Sequence, residues 1–119
     1  PALEQGKVVI IDRFIDSTMV YQGVLGGLGI GRVRELMEKT GTWIEPDLTF
    51  VLDVDPGHAL KRIVPGDKFE EREPAFHQRL RQAFLDLATE ARHCIIDADR
   101  PRDQVSNDIL ATVDRVLKL

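Results

Sequence analysis

The 119-residue sequence has one cysteine, Cys94. That excludes an internal disulfide and a cysteine-rich metal site. The residue stands in the apolar run Cys94-Ile95-Ile96, where a small buried hydrophobe is the expected role, and a reducing compartment suits it. No stretch approaches the roughly 18 consecutive apolar residues of a membrane span, and no secretory signal peptide is visible. An excess of basic charge is missing as well. The net charge is −4 with both signs interspersed, so no basic face marks a nucleic-acid partner. His58, His77 and His93 are too dispersed for a metal cluster and are expected on the surface or in helix packing. Position 1 is proline, not methionine, which predicts a chain that starts after processing or after a cut.

What is present is ordinary globular material: 43% hydrophobic and 30% charged residues, enough for a modest core with a thin margin at this length. The pattern alternates strands and helices. Lys7–Asp12, Leu48–Val54 and Cys94–Asp97 are short, continuous apolar runs, as expected of strands covered on both faces of a parallel sheet. Between them, Phe76, Leu80, Ala83, Phe84, Leu87 and Ala88 recur at the spacing of one helical face behind Pro74, a residue suited to a first helical turn. Val105, Ile109, Val113, Val116 and Leu117 form a second stripe, and Ile30, Val33, Leu36 and Met37 a third that Gly41 closes. The fold class is α/β, a parallel sheet flanked by helices with right-handed crossovers. Two or three strands are few for such a sheet, so partners are expected upstream of Pro1.

In open α/β sheets ligands bind beyond the carboxyl ends of the strands. Each proposed strand ends on acids: Asp12, then Asp53 and Asp55, then Asp97 and Asp99. A strand-end Asp can support Mg²⁺ beside nucleotide phosphates, or it can simply cap the following turn. Arg13, directly after Asp12, adds a planar five-donor cation able to grip a phosphate bidentately. Asp16, Ser17, Thr18, Tyr21 and Gln22 follow within two turns. Ser17 with Tyr21, and Thr18 with Gln22, are four apart and share helix faces, so this stretch can hydrogen-bond a base and a sugar or be plain solvated surface. Gly26, Gly27, Gly29 and Gly31 lie in a segment with no preceding strand and no following Lys-Ser/Thr pair. Gly23–Gly31 is therefore expected to be a flexible inter-helix loop, not a phosphate-binding loop.

Pro1-Ala2-Leu3, Gly6, Val8-Val9-Ile10, Asp12-Arg13-Phe14, Ser17 and Tyr21-Gln22-Gly23 together resemble the central segment of bacterial thymidylate kinases. The similarity continues in order through Gly29-Ile30, Pro46–Thr49, Leu52–Val54, Leu60–Arg62, Asp67–Glu70, Phe76, Arg79, Arg81, Leu87-Ala88 and Ile96–Ala98. The resemblance implies a P-loop nucleoside-monophosphate kinase fold, of which residues 1–119 are the C-terminal portion of a single domain. It implies ATP-dependent phosphorylation of dTMP to dTDP with Mg²⁺, in a cytoplasmic homodimer without nucleic-acid or membrane partners. It assigns Arg13 to the acceptor monophosphate and Asp12 to the reacting phosphates, with indirect contact to the metal. Ser17 and Thr18 face the thymine, Tyr21 packs under the deoxyribose, and Gln22 sits at the pocket edge.

Residues 61–73 correspond to the family's lid over ATP, with Arg62, Lys68, Glu70 and Arg72 in it. Arg62 is the first candidate for the cation at the transferring phosphates and Arg72 the second. This lid has fewer arginines than bacterial lids often carry, and Lys68 lacks the bidentate grip of the usual arginine. The family's phosphate loop and an arginine for thymine belong to segments before the Asp-Arg turn and are not in this sequence. The chain alone is accordingly expected to be inactive. The alternatives are a deoxynucleoside kinase of the same fold, or a catalytically incompetent fragment that binds nucleotide or dimerises.

Overall fold

Where apolar residues recur every three or four positions the chain is helical, and two of the three continuous apolar runs are strands. The computed structural model describes residues 1–60 and 74–118. Its elements are α1 (Ile15–Thr18) running into a π-helix (Met19–Leu25), α2 (Ile30–Lys39), β1 (Thr49–Asp53), α3 (Pro56–Leu60), α4 (Pro74–Leu87), β2 (His93–Asp97) and α5 (Arg102–Leu117). They form two units, Pro1–Ile44 and Glu45–Leu119.

In the first unit, Ile15, Met19, Val20 and Val33 are buried, Val20 completely. At about 1.5–3 kcal/mol for each fully buried aliphatic side chain, this cluster seats α1 and the π-helix against α2. The outer face of α2 carries the exposed pairs Arg34–Glu38 and Glu35–Lys39, worth roughly 0.3–0.5 kcal/mol each. The helix ends as its sequence requires. Gly41 takes φ +72°, the Thr40 hydroxyl donates to the Leu36 carbonyl, and the Thr42 and Trp43 amides donate to that of Met37. Arg34 lies 4.4 Å above the Trp43 ring.

In the second unit β1 and β2 are parallel, with Thr49 opposite His93 and Asp53 opposite Asp97. Paired residues share a face, so Val51 and Ile95 lie on one side and Leu52 and Ile96 on the other. Val51 and Ile96 are buried whereas Leu52 and Ile95 are exposed. Each strand is thus covered on one face only, and the covered faces are opposite. Helix α4 packs on β1 and α5 on β2, which gives the helix-flanked parallel arrangement of an α/β fold. At the amino ends of the strands Arg92 is buried; it donates to the Thr49 hydroxyl at 2.7 Å and to Glu90 at 2.9 Å. That is the pairing a buried guanidinium requires.

The third apolar run, Lys7–Asp12, is not a strand. The sheet consists of β1 and β2, and no described segment runs hydrogen-bonded beside residues 7–12. A single strand has no ladder to satisfy its peptide groups and no face to bury. Val8 to Ile11 are accordingly exposed, Ile10 at 91%. The expected loop over Gly23–Gly31 is also shorter than its glycines suggest, because Gly23 is buried inside the π-helix and α2 begins at Ile30.

Candidate functional site

The Asp12-Arg13 turn is held from behind. Ile15 and Asp16, the first residues of α1, are 1% and 7% exposed, while Asp12 and Arg13 lie at the surface. Arg13 has φ +62°, a left-handed backbone that costs a non-glycine residue about 1–2 kcal/mol. Strain of this kind persists where the surroundings over-determine it, and it concentrates at functional sites. Among the described residues no hydrogen bond or ion pair engages the Arg13 guanidinium or the Asp12 carboxylate. A fork of five N–H donors stands at the head of a helix, next to an acceptor-only group. The first can grip a phosphate and the second can approach a phosphate-bound cation.

Beyond the turn, Ser17 and Tyr21 are half-buried and Thr18 and Gln22 are exposed, an alternation that follows their four-residue spacing. Asp16, in the same stretch, is packed inside the unit. The helix changes type within this stretch, from α to π at Met19. Bonds of i→i+5 widen the turn, and such wide turns are rare and recur at functional sites. Sequence spacing did not show this feature. Its one local signal is the pair Gly23 and Gly26, three residues apart.

At the carboxyl ends of β1 and β2 the acids are occupied. Arg81 of α4 donates to both Asp53 oxygens, through Nε at 2.7 Å and Nη2 at 3.2 Å, with Asp55 3.7 Å from Nη1. The hydrogen bond to Asp53 raises the Arg81 pKa above its ordinary value; desolvation opposes it, and the fields of Asp53, Asp55 and Asp99 add to it. Asp55 also accepts the Gly57 amide at 2.8 Å, and Asp97 that of Asp99 at 3.0 Å, so both take the turn-capping role. His58 joins α3 to the loop after β2 through Asp99 at 2.6 Å. Arg100 is tied to the Asp97 carbonyl and to Asp108. His77 is buried in α4, edge-on to Phe76. Asp12, which ends a run that is not a strand, is exposed, and no described group bonds its carboxylate. The clamp by Arg81 was not readable from sequence spacing, because its partners lie 28 and 26 positions away.

Arg62, Lys68, Glu70 and Arg72 lie outside the described residues. Among the described residues no group of three or more His, Cys, Asp or Glu side chains is placed to cage a metal. A magnesium ion carried by nucleotide phosphates needs only one or two carboxylates and keeps its waters, a requirement that the exposed Asp12 fits. Among the described residues no helix is long and apolar enough to cross a membrane.

A family model described as Thymidylate kinase matches residues 1–109. The chain is 45% identical over 117 residues to a thymidylate kinase of Halothermothrix orenii, covering 92% of this chain and 56% of that protein. Its identity to a thymidylate kinase of Symbiobacterium thermophilum is 43% over 121 residues, 98% of this chain and 56% of the relative. To one of Deinococcus radiodurans it is 39% over 118 residues, 95% and 57%. The chain therefore spans a little over half the length of these curated relatives.

Proposed function

The chain belongs to the thymidylate kinase family, and from that premise we propose that the whole protein transfers the γ-phosphoryl group of ATP to dTMP, giving dTDP and ADP. The observation that carries the acceptor side is Arg13: exposed, held at φ +62° and standing directly ahead of the helix with Ser17, Thr18, Tyr21 and Gln22. A phosphate oxygen of dTMP forms the new bond to the γ-phosphorus while the bond to the β,γ-bridging oxygen breaks. The acceptor oxygen is already ionised near neutral pH, so no general base is needed, and positioning with charge neutralisation carries the catalysis.

Arg13 grips the acceptor phosphate through its fork. Ser17 and Thr18 meet the thymine edge, Tyr21 packs under the deoxyribose and Gln22 closes the rim. Magnesium, when bound with ATP, would supply positive charge at the phosphates, and the exposed Asp12 carboxylate would face it. Arg62 is the proposed lid cation at the transferring phosphates, with Lys68, Glu70 and Arg72 in the same lid, residues 61–73. On this proposal the chain is the C-terminal portion of one kinase domain, acting in the cytoplasm as a homodimer, and turnover belongs to the whole protein.

The test is an ADP-release assay on the whole protein with dTMP, UMP, AMP and dCMP as acceptors. Turnover with dTMP is expected to exceed the others by orders of magnitude. Equal rates would remove the substrate assignment. Turnover of thymidine in place of dTMP would make the protein a deoxynucleoside kinase.

A further inference from the structure

The Tyr21 and Gln22 peptides leave no room for a side chain at position 26. At Gly26 an ideal Cβ would lie 2.8 Å from the Gln22 carbonyl oxygen, 3.0 Å from that of Tyr21 and 3.2 Å from the Gln22 Cα. All three are main-chain atoms, which cannot swing aside as a side chain can. Gly26 has φ −81° and ψ −9°, a conformation open to any residue, so the demand there is for space alone. At Gly23 a Cβ would lie 3.2 Å from Ile30 N and Cα and 3.3 Å from Gly29 C. The Leu28 amide donates back to the Gln22 carbonyl at 3.3 Å, and the Gly29 amide to that of Gly23 at 2.8 Å. The returning loop thus lies directly on the wide π-turn and fixes its register.

We propose that Gly23 and Gly26 are positioning residues for the acceptor nucleotide. They touch no ligand, but they set where Tyr21 and Gln22 are presented relative to Ser17 and Thr18. The inference rests on the acceptor site proposed above. To restore ordinary contact at about 3.4 Å, a methyl group at position 26 must push the Tyr21–Gln22 peptides away by about 0.6 Å. A misplacement near 1 Å can cost on the order of 100-fold, so a shift of this size corresponds to roughly 10-fold.

The experiment is steady-state kinetics on the whole protein for wild type, Gly26→Ala, Gly23→Ala and Gly31→Ala. Position 31 has nothing within 4 Å of an added Cβ and serves as the control. Gly26→Ala is expected to lower kcat/KM for dTMP roughly 10-fold with a rise in the KM for dTMP, while the KM for ATP moves less than about two-fold. Gly31→Ala leaves these constants as in wild type. Should Gly26→Ala fail to fold, the milder clash in Gly23→Ala carries the same test with a smaller rise in the same constant. An unchanged KM for dTMP in a folded variant, or an equal rise in both KM values, overturns the proposal and leaves the dTMP kinase assignment standing. Loss of dTMP preference in the wild type overturns both.

Discussion

Replacing Arg13 by glycine and, separately, by alanine pulls apart two properties that the native residue combines. Both variants lose the guanidinium, but only glycine accepts φ +62° without steric conflict. The left-handed backbone costs alanine about 1–2 kcal/mol relative to glycine. Against this, glycine gives the unfolded chain more freedom to lose, which costs about 0.4–1 kcal/mol. The difference leaves Arg13→Gly more stable than Arg13→Ala by about 0.8 kcal/mol at the centre of these ranges, or roughly 2–3 °C in the Tm of the whole protein. No described group bonds to the Arg13 side chain, so its removal exposes no orphaned partner.

Binding of dTMP should fall in both variants alike. Two charge-assisted bonds to a phosphate are together worth about 3–6 kcal/mol, so both variants should bind dTMP at least about 100-fold more weakly. Arg13→Lys keeps the charge but not the fork, and should fall between them and the wild type. The assays are thermal unfolding without ligand and titration calorimetry with dTMP. Should Arg13→Gly be no more stable than Arg13→Ala, the strain at this turn is not real. If dTMP binds Arg13→Ala as it binds the wild type, Arg13 is not in the site.

Two further expectations concern the scaffold. Ile15→Ala removes a side chain 1% exposed directly behind the turn and should lower unfolding stability by about 2–5 kcal/mol in urea titrations; a loss near zero would mean that this core is not formed. In a double-mutant cycle, Arg81→Met and Asp53→Asn should show coupling, with the double variant destabilised by less than the sum of the singles, because the fork joins these two groups directly. Simple additivity would show that the fork contributes nothing.

Local patterning carries far in this chain where the deciding contacts are local. The helical stripe after Pro74 became α4 from Pro74 to Leu87, and the stripe closed by Gly41 became α2. Both are matters of three- and four-residue spacing and of backbone preference at the ends, which a sequence states outright. The order of motif residues that places the chain in its family is equally plain in the sequence.

Tertiary structure decided the rest, because the deciding partner was distant. An apolar run is a strand only when another strand lies beside it; Lys7–Asp12 has the composition of one but no described neighbour. Three runs end in acids that look alike in sequence. Position alone cannot say that Arg81 takes Asp53 while local amides take oxygens of Asp55 and Asp97. Nor can it say that Asp16 turns inward or that the helix widens at Met19. The residues proposed to meet the acceptor stand in order from Asp12 to Gln22. Which of them face outward, and on what backbone, followed from the packing of Ile15, Val20 and Gly23 against the rest of their unit.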